Sequence, residues 1–64
     1  MPAYEQTPAK DITPGTYVVM VNIDILLVRT KEILPGGRVR LNYRNGDYSI
    51  VSLDSLLTTI PYHF

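Results

Sequence analysis

The chain has no cysteine, no tryptophan and a single histidine among its 64 residues. Without cysteine there is neither a disulfide framework nor a thiolate metal site, and one histidine with scattered carboxylates does not make a structural zinc centre. Charge of one sign is lacking too: six basic side chains cancel six acidic ones. A zero balance gives no global electrostatic pull toward nucleic acid or a membrane surface. No apolar run approaches the roughly 20 residues that span a bilayer. Met1-Pro2-Ala3-Tyr4-Glu5 lacks the basic and apolar regions of a secretion signal. The expectation is a soluble, cytoplasmic protein.

A catalytic set is missing as well. Asp47 and Asp54 sit beside turn signals, where Asp is favoured for local hydrogen bonding. Ser49, Ser52 and Ser55 have no base at strand or helix spacing. Gly36-Gly37 lies between two strand-like runs, with no helix behind it to aim amides at a phosphate. His63, between Tyr62 and Phe64 near the chain end, reads as a tail histidine. No catalytic residue, metal, cofactor or small-molecule substrate is expected.

What the sequence has is strand signal. The apolar fraction of 45% excludes wholesale disorder. A chain this short still buries only about 60% of the surface its unfolded form exposes, so apolar burial and strand pairing must hold it, helped by a second copy or a partner. Residues 1–13 carry two prolines, three charges and little periodicity, and read as a flexible or loosely docked arm. Pro14-Gly15 opens a single β domain over residues 14–64.

Tyr17-Val18-Val19-Met20-Val21 is a β-branched and aromatic strand, and residues 24–33 follow as a longer one. Asn22-Ile23 is an awkward join, because a two-residue hairpin turn wants positive φ, which a β-branched residue resists. Either the turn is wider or residues 17–28 form one bent strand; the hairpin is the preferred reading. Pro35-Gly36-Gly37 closes onto residues 38–43, and Asn45-Gly46 leads into residues 48–52. Residues 53–57 are too few for a lone helix and read as one helical turn. Thr58-Thr59-Ile60 forms a last strand, stopped by Pro61. The fold class is all-β: a five-stranded antiparallel curled sheet or SH3-like barrel with one short helical turn.

Alternation assigns the faces. Val39, Leu41 and Tyr43 share one side of their strand, opposite Arg38, Arg40, Asn42 and Arg44. The first two strands do not alternate. Tyr17, Val19 and Val21 oppose Val18 and Met20, while Ile25 and Leu27 oppose Leu26 and Val28. A ribbon apolar on both faces needs cover on both. Either the N-terminal arm supplies the second cover or, the preferred reading, a partner protein or second protomer does so at Val18, Met20, Ile25 and Leu27, with the neighbouring Arg29 and Lys31. Five basic residues against one acid lie between Arg29 and Arg44. The alternative is a nucleic-acid contact through Arg38, Arg40 and Arg44 with Tyr43 as a stacking ring.

One stretch carries a family likeness. Tyr17-Val18-Val19, residues 24–29, Leu34-Pro35-Gly36-Gly37-Arg38-Val39-Arg40-Leu41, Asn45, Tyr48, Leu53 and Leu56 together resemble the C-terminal part of the self-cleaving serine peptidase domain of LexA-like and phage repressors. In that family a strand lysine is the general base for an upstream serine. Arg29 stands at the matching place, and a guanidinium does not accept a proton. The upstream serine segment has no counterpart, and Ile23 replaces the family's turn glycine. The resemblance therefore implies a truncated, non-enzymatic relative of phage or mobile-element origin. Its expected role is to pair with itself or to inhibit a bacterial regulator, repressor or defence complex, acting in the manner of an antirepressor or anti-CRISPR protein.

Overall fold

The computed structural model describes residues 4–60. It contains strands β1 (Glu5–Pro8), β2 (Tyr17–Val19), β3 (Ile25–Leu34), β4 (Arg38–Tyr43), β5 (Tyr48–Ser52) and β6 (Leu56–Ile60), with a 3-10 turn at Ala9–Asp11. Every pairing is antiparallel, and the sheet order is β1-β6-β2-β3-β4-β5. The sheet has six strands rather than five, and it ends at β1 and β5 without closing into a barrel. Pro61 and His63 lie outside the described residues.

β3 joins the two halves of the sheet. Ile25 to Leu27 pair with β2, and Val28 to Leu34 pair with β4, with a register irregularity between Val28 and Thr30. An extra residue at such a point bends and twists the strand, here at Arg29. The bend folds the halves over one core of Ala9, Ile12, Val18, Val28, Val39, Leu41 and Tyr43. The alternation of β4 is realised as expected, with Val39, Leu41 and Tyr43 buried.

Residues 5–12 correct the reading of a loosely docked arm. β1 adds an edge strand to β6, and Ala9 and Ile12 are fully enclosed. The Ala9 and Lys10 amides donate to the carbonyls of Ser55 (2.8 Å) and Leu53 (2.9 Å). Two apolar residues set among prolines and charges carry no periodic signal; only the concave sheet they plug gives them a place. The helical turn expected over residues 53–57 is corrected as well. Ser55 N–H donates to Ser52 O at 3.0 Å in a tight turn, and Leu56 already begins β6. Pairing with β1 on one side and β2 on the other overrides a weak local preference.

The preferred hairpin reading holds, with a turn wider than two residues. Met20 N–H donates to Asp24 O (2.7 Å), and Ile23 N–H donates to Met20 O (2.9 Å). The turn between β4 and β5 repeats this plan: Tyr43 N–H to Asp47 O (2.8 Å) and Gly46 N–H to Tyr43 O (3.1 Å). Each loop also closes an asparagine onto the aspartate two residues on, Asn22 onto Asp24 and Asn45 onto Asp47. Three-residue hairpin loops of this kind place their last residue in the left-handed region. Gly46 takes φ 95° there without strain, whereas Ile23 takes φ 72° with a β-branched side chain. The second loop thus shows what the first would be without strain.

Two substitutions test these findings. Ile12→Ala is expected to destabilise the domain by about 2–4 kcal/mol in urea unfolding, the cost of an enclosed cavity; a dangling arm would leave the midpoint unmoved. Ile23→Gly is expected to stabilise it by about 1 kcal/mol, raising Tm by roughly 4–8 °C in a domain of this size.

Candidate protein-docking site

The register of the first hairpin sorts its apolar residues onto two faces. Val18 lies opposite Leu26, facing inward; Tyr17 lies opposite Leu27 and Val19 opposite Ile25, facing outward. Val18 is 2% exposed and belongs to the core, and Met20 packs against that core from its rim. Val18 is thus enclosed rather than on the outer face with Ile25 and Leu27, and Met20 is partly buried on the inward side. Lys31 is spoken for as well: its Nζ donates to the Lys10 carbonyl at 2.9 Å and ties the first turn of chain to β3.

The outward side chains make a shallow concavity. One hollow is lined by Leu27, Arg29 and Arg44, and an adjoining one by Tyr17, Ile25, Leu26, Leu27, Arg44 and Asn45. Arg44 N–H donates to Leu27 O at 2.9 Å, which fixes the β4–β5 turn against β3 and brings Arg44 beside the apolar floor. Arg29 reaches the same place because the bulge frees it from the regular ladder. Both arginines are exposed, and among the described residues the one ion pair is Lys10 with Asp54, at 3.4 Å on the surface. At the end of the same hairpin is the loop tip, where Val21 is fully exposed and Ile23 is 80% exposed. Of the six residues expected at a partner surface, Ile25, Leu27 and Arg29 come together here. Tyr17, Val19, Val21, Ile23 and Arg44 complete the surface. The shared face of Tyr17, Val19 and Val21 is visible in the sequence, but the register that sets it beside Ile25 and Leu27 is not.

The basic residues of β4 do not converge on one surface. Tyr43 is buried, and its hydroxyl donates to Ser49 Oγ at 2.9 Å, so it offers no stacking ring. Arg40 lies 4.1 Å from the centroid of the Tyr48 ring, and its Nε donates to Asn42 Oδ1 at 2.9 Å. Asn42 in turn donates to Thr30 Oγ1 (3.0 Å) and Glu32 Oε1 (3.2 Å). The outer face of β3, β4 and β5 thus ties Arg40, Asn42, Thr30, Glu32 and Tyr48 to one another, while Arg44 lines the hollow beside Leu27. Among the described residues no group of three or more metal-ligating side chains lies together, and no helix is long and apolar enough to cross a membrane.

Tyr43→Phe tests this placement. The lost hydrogen bond is expected to cost about 1 kcal/mol in chemical unfolding.

No protein-family model, no curated protein and no solved structure matches this chain.

Proposed function

We propose that this chain is a non-enzymatic protein-interaction module that docks an aliphatic or aromatic segment bearing acidic residues onto the outer face of its first hairpin. One observation carries the reading: Ile23 holds a strained, left-handed conformation on an exposed loop tip, in the position where the sister loop uses Gly46. Strain of that kind costs roughly 1–3 kcal/mol and persists where a side chain has a use. An isoleucine in water has none for the free domain. Contact with a partner supplies one, because Val21 and Ile23 then enter an apolar surface along with Ile25 and Leu27. Arg29 and Arg44 flank that floor and are suited to carboxylates, which accept a guanidinium bidentately.

The likeness of the second hairpin to phage and LexA-like repressors supports a bacterial regulator, repressor or defence complex as the partner class, bound stoichiometrically by a phage-encoded inhibitor. That part rests on analogy of sequence. The nucleic-acid alternative has less support, since Tyr43 is inside and Arg40 is engaged with Tyr48 and Asn42.

The test is selection from a random displayed-peptide library on the immobilised chain. Enrichment of apolar residues next to Asp or Glu is expected. The Arg29→Glu, Arg44→Glu double variant should reverse the charge preference, and Ile25→Asp should abolish capture, both with circular dichroism unchanged. Enrichment of no motif, or of one indifferent to these substitutions, refutes the proposal.

A further inference from the structure

A sheet that stays open leaves two edges, and the two differ. β1 is blunted in the usual way, with Pro8, which has no amide hydrogen, and the charge of Glu5. β5 has no such protection: Tyr48-Ser49-Ile50-Val51-Ser52 carries neither charge nor proline, and its outer residues Tyr48 and Ile50 are 56% and 45% exposed.

The direction of its backbone groups follows from the bonds at either end of the β4–β5 ladder. Tyr43 N–H donates to Asp47 O, and Leu53 N–H donates to Gly37 O. Alternation along an antiparallel pair then directs the amides and carbonyls of Ser49 and Val51 at β4. Those of Tyr48, Ile50 and Ser52 face outward, spaced evenly about Ile50.

We propose that the chain forms a symmetric homodimer in which β5 pairs antiparallel with β5 of a second copy, the twofold axis passing by Ile50. This inference is independent of the hairpin surface. A second copy fits the edge better than an arbitrary strand for three reasons. In the register centred on Ile50, the two Ile50 residues exchange a pair of bonds and each Ser52 N–H meets a Tyr48 carbonyl, giving roughly four interchain backbone bonds; Ser52 O is already held by Ser55 N–H within the chain. The side chains are self-complementary, since bulky Tyr48 falls opposite small Ser52 of the other copy, and Ile50 meets Ile50. Arg38, which lies across from Ser52 on β4 and has no ion pair among the described residues, sits on the same face as the incoming Tyr48 ring. Its long side chain would have to reach over the small Ser52 to meet that ring, a contact of the kind Arg40 makes with Tyr48 across one strand spacing. Asp47 and Asp54 flank the paired segment without opposing each other.

Sedimentation equilibrium from micromolar to millimolar protein, with amide exchange at both ends of that range, tests the proposal. A monomer–dimer equilibrium is expected. The Ile50 and Ser52 amides should gain protection as dimer forms, while Ser49 and Val51 are protected throughout. Ile50→Lys, which sets like charges across the axis, is expected to raise the dissociation constant about a hundredfold. Ile50→Pro removes an outward donor and no intrachain bond, and should also give a monomer. Circular dichroism checks that each variant is folded, and either folded one suffices. Ile25→Asp, on the hairpin, should leave the dimer intact. The proposal is overturned by a protein monomeric at millimolar concentration. It is equally overturned by a dimer that survives a folded Ile50 variant, that Ile25→Asp disrupts, or whose Ile50 and Ser52 amides stay unprotected.

Discussion

The bend of β3 at Arg29 is the constraint on which the rest of the structure depends. A flat sheet of this size would leave both faces in water, and a chain so short has no second layer to cover them. With one strand shared between the halves, and a register irregularity where it passes from β2 to β4, the sheet encloses its own concave side. Val28 sits beside the irregularity and is 1% exposed, at the centre of the resulting core. Ala9 and Ile12 then close the open end of the trough, held by backbone bonds to the turn between β5 and β6. The same bend turns Arg29 outward beside Arg44, so core formation and the shape of the outer concavity have one cause.

Enclosing one side leaves the convex side to be managed, and the two halves manage it differently. Over β3, β4 and β5 the outer face carries a connected polar set in which Asn42, Arg40, Glu32, Thr30 and Tyr48 engage one another, with Ile50 exposed beside it. Over the first hairpin the outer residues are Tyr17, Val19, Ile25 and Leu27. The contrast between a hydrogen-bonded polar set and a mainly apolar face, next to a strained isoleucine, sets the hairpin apart. The two loops sharpen the contrast, because identical hydrogen bonding accommodates glycine in one and isoleucine in the other.

Open sheets carry a further liability at their edges. Pro8 and Glu5 answer it on β1, and the uncharged β5 leaves it unanswered. The apolar face of the first hairpin and the unprotected edge lie on different strands, so they are separate surfaces of one small sheet.

The amino-acid sequence by itself determined the all-β class, strands β2 to β5 and the turns that join β3 to β4 and β4 to β5, because alternation and Pro-Gly-Gly or Asn-Gly chemistry act over a few residues. It also announced the inward set Val39, Leu41 and Tyr43, and the surplus of apolar residues in the first ribbon. Only the tertiary structure decided which face of that ribbon is core. Val18 and Ile25 look equivalent in the sequence, and pairing opposite Leu26 buries one while pairing opposite Val19 exposes the other. Likewise residues 5–12 carry no local pattern, and their order comes from contacts more than forty residues away in the chain, at Ser55 and Thr59. Strand and turn preferences are properties of neighbours in sequence; register, bend and burial are properties of neighbours in space.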